Sequence, residues 1–202
     1  MKKLLIVFVI LLVIFGIYWF NFRNQTTNKE TKVEALKAKK HSNSFNANID
    51  SIMNAYFNLK ASFVDADSIN AKIAAKNLLV IIDSMSFNEL KRDTAGIFES
   101  ADMQKEDIKA NVESLLKQTS LIEMRQDFRM VSESIYPLLK TIHYEGKTLY
   151  WQNCPMAFGE GKEANWISNT EEIVNPFLGK KDPEFKSTML HCGEVKDSIK
   201  AK

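Results

Sequence analysis

The sequence holds only two cysteines, and they lie far apart. No C-x-x-C pair occurs, which excludes a zinc knuckle and a thioredoxin-like redox motif. No C-x-x-C-H occurs, which excludes covalent haem attachment on the usual pattern. Seven glycines in 202 residues are too few for a loop-rich β-sandwich, and no glycine-rich loop is present to cradle a phosphate. Neither charge dominates: 27 Lys and Arg stand against 25 Asp and Glu, for a formal net charge of +2. A nucleic-acid partner would need a basic patch or stripe, so none is expected. Ser132 and Ser134 have no His/Asp partner at a recognisable spacing, and Glu171-Glu172 reads as a solvated turn rather than acid/base machinery. No base is placed to activate either cysteine. The chain is therefore not expected to be an enzyme.

What is plentiful is Leu, Lys, Ala, Glu and Met, all good helix formers. The N-terminus also carries an apolar run, Leu4 to Phe20, behind Lys2 and Lys3. Seventeen residues is the short end of what spans a bilayer. The run ends in bulky "GIYWFNFR", with no small-x-small cleavage site. Tyr18, Trp19 and Phe20 suit an interfacial belt closed by Arg23. Residues 1–23 are thus expected to be an uncleaved transmembrane anchor, or else a signal segment, with residues 24–44 as a polar linker. The expected location is a single-pass cell-membrane protein with its C-terminal domain in the periplasm, where disulfides persist.

Residues 45–143 show helical periodicity. Ile49, Ile52, Met53, Tyr56, Leu59 and Phe63 mark a first helix. After "DADS", where Asp67 or Ser68 suits an N-cap, Ile69, Ile73, Leu78, Leu79, Ile82 and Met85 mark a second. A polar break around "NELKRDTAGIFES" precedes a third helix through residues 103–118. "TS" at 119–120 caps a fourth, kinked near Pro137. His143 suits a helix-end cap. Residues 144–202 hold both cysteines, three of four prolines and five of seven glycines. The expected fold is mainly α: an antiparallel four-helix bundle with an irregular C-terminal tail packed on it, behind the N-terminal transmembrane helix. The tail is too short for a core of its own and is expected to pack through Tyr150, Trp151, Trp166, Phe177 and Phe185.

Five steps follow one another: "MRQDFRMVSESIYPLL", "LYWQNCPMA", "NWIS", "EEIVNPFLG" and "MLHCGEV". In this order they resemble the bacterial family known as domain of unknown function 3347, over residues 45–198. That family has no established activity and occurs as secreted or anchored proteins. It is also similar to a region fused to periplasmic adaptors of copper and silver efflux systems. The resemblance therefore implies heavy-metal handling and heavy-metal efflux or envelope proteins as partners, besides the membrane. One departure from the family pattern is "KKDPEFKST" after Gly179, a longer loop that must fold back if the two sulfur-bearing patches are to meet.

Those patches are Cys154 with Met156, and Met189 with His191 and Cys192. Thiolates and thioethers are soft donors that favour Cu(I) or Ag(I), with His191 as an optional ligand. On that reading the domain binds or hands over a soft metal. Two cysteines in an exported domain read equally well as a disulfide, Cys154–Cys192, closing a loop of almost forty residues. The chain is then a structural or interaction module of the cell envelope, presenting Trp151, Trp166 and Phe177 to a partner.

Overall fold

The computed structural model describes residue 15, residues 40–93 and residues 96–201. The expected anchor and most of the linker lie outside the described residues. Among the described residues no helix is long and apolar enough to cross a membrane. Ala38–Lys202 form one compact unit.

That unit is mainly helical, with four helices and a small three-stranded sheet. Helix α1 is Asn43–Val64, opening where the Ser42 hydroxyl accepts the Phe45 N–H at 3.1 Å. Helix α2 is Ser68–Ser84, capped by the Asp67 carboxylate, which accepts the N–H groups of Ile69 and Asn70. Helix α3 is Ile97–Lys117, and α4 is Leu121–Thr141. Ser120 and Glu123 form a reciprocal capping box at the start of α4, which runs on past Pro137. The third helix starts earlier than the sequence suggested. Ile97, Ala101, Ile108, Val112 and Leu115 are all buried at helical spacing, so the polar break shrinks to a 3-10 turn at Asn88–Arg92 and the residues beside it.

Contacts between α1 and α4 fix their direction. His41 Nε2 meets the Ile142 carbonyl, the Tyr56 hydroxyl meets Ser132, and Arg125 donates to the Phe63 carbonyl. Rising numbers on α1 meet falling numbers on α4, so the two run antiparallel. Short connections reverse the chain between α1 and α2 and between α3 and α4. Helices α2 and α3 are therefore antiparallel as well, completing a helical bundle. One expected face is different. Helix α2 turns Ala71, Ala75, Leu78 and Ile82 inward and leaves Ile69 and Ile73 exposed. The two alanines present the smallest side chains to the bundle, and the isoleucines fall on the far side.

The tail is irregular only between its strands. It forms an antiparallel sheet of β1 (Leu149–Cys154), β2 (Ala164–Ser168) and β3 (Glu194–Ile199), in the order β2-β1-β3. Trp151 opposes Ile167 on one side of β1 and Asp197 on the other, with a bulge between Trp151 and Gln152. "NWIS", expected in a loop, is the strand β2. Its buried Ala164, Trp166, Ile167 and Ser168 are covered on both faces, which erases the period-2 alternation that marks a half-exposed strand.

A run of rings joins sheet and bundle. Tyr56 and Phe128 stack at 5.3 Å, Phe63 lies 4.9 Å from Phe128, and Phe128 meets Phe177 at 5.9 Å. Phe177 is then met edge-on by Trp166 at 5.9 Å and Phe158 at 5.3 Å. Trp166 and Phe177 are buried, so they are core and not a surface for a partner. Trp151 is half-buried and stacks on Tyr136 of α4 at 4.3 Å. These rings do pack the tail on the bundle, as expected. Burial rules out the expected surface role for Trp166 and Phe177, which pack against each other and the bundle instead.

Candidate functional site

Cys154 ends β1 and is buried; Cys192 lies just before β3 and is half-buried. Three local devices bring them together. Gly193 has φ +144, and a Cβ there would lie 2.6 Å from the Asn153 carbonyl and 3.0 Å from Trp166. The backbone at 193 can therefore lie against β1 only because it has no side chain. Asn175 is the second device. Its side-chain amide donates to the Cys192 carbonyl at 2.9 Å, its carbonyl oxygen accepts the N–H groups of Phe177 and Leu178, and its own N–H donates to the Leu190 carbonyl. Third, the Cys192 N–H donates to the Met189 carbonyl, closing a turn over Met189–Cys192.

The longer loop after Gly179 does fold back. Asp182 accepts the N–H groups of Glu184 and Phe185 and pairs through the backbone with Lys186. Gly179 anchors its start. With φ +63, a Cβ at Gly179 would lie 2.7 Å from the Val64 carbonyl, and the next N–H, of Lys180, donates to that carbonyl at 2.8 Å. Arg125 donates to the neighbouring Phe63 carbonyl at 2.9 Å. The end of α1 is thus capped by the tail and by α4 together. Burial lowers the Arg125 guanidinium to about 10, with Asp182 opposing the shift.

The result is a close thiol pair: Cys154 Sγ and Cys192 Sγ are 2.8 Å apart and not bonded. Burial pushes the Cys192 thiol up to about 12, and its contact with Cys154 adds to the shift. Met156 and Met189 are half-buried and pack on the core. His191 is exposed, and its Nδ1 faces the Ile173 carbonyl at 2.7 Å. Nδ1–H donating there leaves Nε2 as the free ring nitrogen. Among the described residues no three or more His, Cys, Asp or Glu side chains gather to hold a metal, so His191 does not complete a set with the two thiols.

The turn at Asn175-Pro176 is legible in the sequence as an Asn-Pro turn initiator, whereas Gly193 is not singled out, although it lies directly after a cysteine. His41 is buried, stacks on Phe45 at 4.5 Å and lies 3.5 Å from Glu89. No sequence signal announces it.

Residues 52–147 match the family model described as protein of unknown function, DUF3347. The match supports that family. It spans most of the helical bundle and ends before β1, so the cysteine-bearing motifs lie outside the matched residues. No curated protein and no solved structure matches the chain.

Proposed function

We propose that the chain is a non-catalytic module of the cell envelope whose Cys154 and Cys192 close as a disulfide that staples the C-terminal sheet. The observation that carries this is the 2.8 Å approach of two sulfurs from segments 38 residues apart. Bonded sulfurs lie about 2.05 Å apart. A metal held by two thiolates at about 2.3 Å each would hold the sulfurs roughly 3.8 Å apart in a tetrahedral site. The pair needs less movement to bond than to admit an ion. A thiol near 12 must give up its proton before either outcome, since disulfide exchange and metal ligation both start from a thiolate, so the choice rests on the geometry. Closure removes two protons and two electrons, which pass to an external disulfide in an oxidising compartment. The apolar run at the N-terminus is what supports such a compartment, with the chain anchored in the cell membrane and the domain in the periplasm.

The test is intact mass and thiol alkylation of the full chain purified without reductant. The staple predicts no label until reductant is added, then two labels. Two labels without reductant would refute it.

A second reading is supported by Met156 and Met189, which lie within three residues of Cys154 and Cys192 and would add two soft donors to the reduced pair. On this reading the reduced domain binds or hands over Cu(I) or Ag(I), in the setting of copper and silver efflux that the family likeness implies. Titration of the reduced chain with Cu(I) against a chelator decides. Unchanged affinity in Cys154→Ser and Met156→Leu ends it.

A further inference from the structure

The two sulfurs of the staple are not equivalent. Cys154 is 0% exposed. It ends β1 beside the buried Asn153 and opposite the buried Ala164 of β2. Cys192 is half-buried and sits in the Met189–Cys192 turn, next to the exposed His191. Both of its backbone groups are held, the N–H by the Met189 carbonyl and the carbonyl by the Asn175 amide. The 2.8 Å line from Cys154 Sγ to Cys192 Sγ therefore runs outward from the core.

Thiol–disulfide exchange is an in-line displacement, so the attacking, central and leaving sulfurs lie close to one line. An external thiolate that attacks Cys192 Sγ and expels Cys154 comes from the side away from Cys154, which is the solvent side. One that attacks Cys154 Sγ and expels Cys192 must come from behind Cys154, where the core is packed. An external group bonded to Cys154 would also have to be housed among Asn153, Ala164 and the rest of that core. A group bonded to Cys192 projects outward from its turn.

We infer that Cys192 is the exchange site of the staple, forming a mixed disulfide with small aliphatic thiols and disulfides, and that Cys154 is the resolving thiol. The inference rests on the disulfide reading above. In closure, the Cys192 thiolate attacks an external disulfide. The mixed S–S bond forms, the external S–S bond breaks, and one external thiol leaves with the proton that Cys192 gave up. The Cys154 thiolate, already in line behind Cys192 Sγ, then attacks that sulfur. The protein S–S bond forms, the mixed bond breaks, and a second external thiol leaves into solvent with the proton from Cys154. Two protein thiols are oxidised, and one external disulfide is reduced to two thiols. Opening runs the same steps backwards.

The test uses the full chain, with oxidised glutathione as the external disulfide. Tryptic digestion separates the two sulfurs, Cys154 in residues 148–162 and Cys192 in residues 187–196. Cys154→Ala lacks the resolving thiol and holds a glutathione adduct on 187–196. Cys192→Ala takes its adduct roughly a hundredfold or more slowly, since a buried thiol reacts only through a local opening. In denaturing urea the two variants react alike. Brief alkylation of the reduced wild type needs no variant, and it labels 187–196 before 148–162. Equal labelling of the two peptides in the folded wild type overturns the proposal. So do equal adduct rates in two variants that urea unfolding shows to be folded. A chain that closes with oxidised glutathione but carries its adduct on 148–162 overturns the order of exchange alone. A chain that never closes overturns the staple, and the order of exchange with it.

Discussion

Tyr56→Phe removes one oxygen from the junction of α1, α4 and β2. Tyr56 is fully buried. Burial holds its phenol well above the usual range, so the hydroxyl keeps its proton. Ser132 donates its own proton to the Phe128 carbonyl at 2.9 Å. The Tyr56 proton therefore goes to Ser132 Oγ, at 2.8 Å, and the Tyr56 oxygen accepts the Ile167 N–H at 2.9 Å. Loss of the hydroxyl leaves Ser132 with a partner but leaves the Ile167 N–H in the core with none. A buried unsatisfied donor costs about 1–3 kcal/mol, so the expected loss is about 2 kcal/mol, a roughly thirtyfold change in the folded-to-unfolded ratio. Urea unfolding followed by tryptophan fluorescence measures it. Tyr144→Phe is the control. That hydroxyl donates to the exposed Asp50 at 2.9 Å, which can turn to water, so the expected cost is under about 1 kcal/mol. If Tyr56→Phe costs no more than Tyr144→Phe, the hydroxyl is not what holds β2 on the bundle.

Four further outcomes are expected. With Cys154 and Cys192 bonded, the loop between them removes about 4 kcal/mol of chain entropy from the unfolded state; equal urea midpoints with and without reductant would count against the staple. In the reduced chain the native Cys192 thiol keeps its proton to about 12 while the unfolded thiol gives it up near 9.0. The native state binds more protons in between, so stability falls as pH rises from 9.0 towards 12, and Cys192→Ser should flatten that fall. Gly179→Ala forces a Cβ to 2.7 Å from the Val64 carbonyl at positive φ and is expected to cost about 2 kcal/mol by thermal unfolding. Asp67 is held below the usual carboxylate range, chiefly by the Asn70 N–H, so its cap stabilises above pH 3.8 and is lost as pH falls through its lowered value. Asp67→Asn should shrink the acid-side loss of stability; an unchanged acid limb would show that the cap does not titrate.

Helices were legible because their cores repeat at 3.6 residues and their starts carry capping chemistry: Asp67, Ser120 and the Ile49-to-Phe63 series all announce themselves. What stayed hidden is tertiary. Trp166 is a strand residue covered from both sides, and its neighbours have no alternation to read. Hydrophobicity alone points Ile69 and Ile73 inward, whereas Ala71 and Ala75 face the bundle. A single sequence shows that apolar residues share a face, but two apolar faces on one helix cannot be ranked without the neighbour that chooses between them.

The same limit bears on the tail's dense motifs. "NWIS", "NPFLG" and "HCG" invite a ligand, yet most of their residues have mechanical work in this fold. Trp166 and Phe177 carry the ring contacts into the sheet, and Ser168 accepts from the buried Lys60 amine at 3.2 Å. Asn175 ties the turn at Cys192, Gly179 meets the end of α1, and Gly193 lets two backbones touch. Met156, Met189 and the Nε2 of His191 are left over from this assignment, each close in sequence to one of the thiols. Methionine fills a core as well as leucine does, so Met156→Leu should leave stability within about 1 kcal/mol of wild type if packing is its role. The same substitution should lower Cu(I) affinity if Met156 is a ligand. Unchanged affinity with unchanged stability leaves the disulfide as the sole role of the site, and lowered affinity with unchanged stability makes the reduced pair a metal clamp.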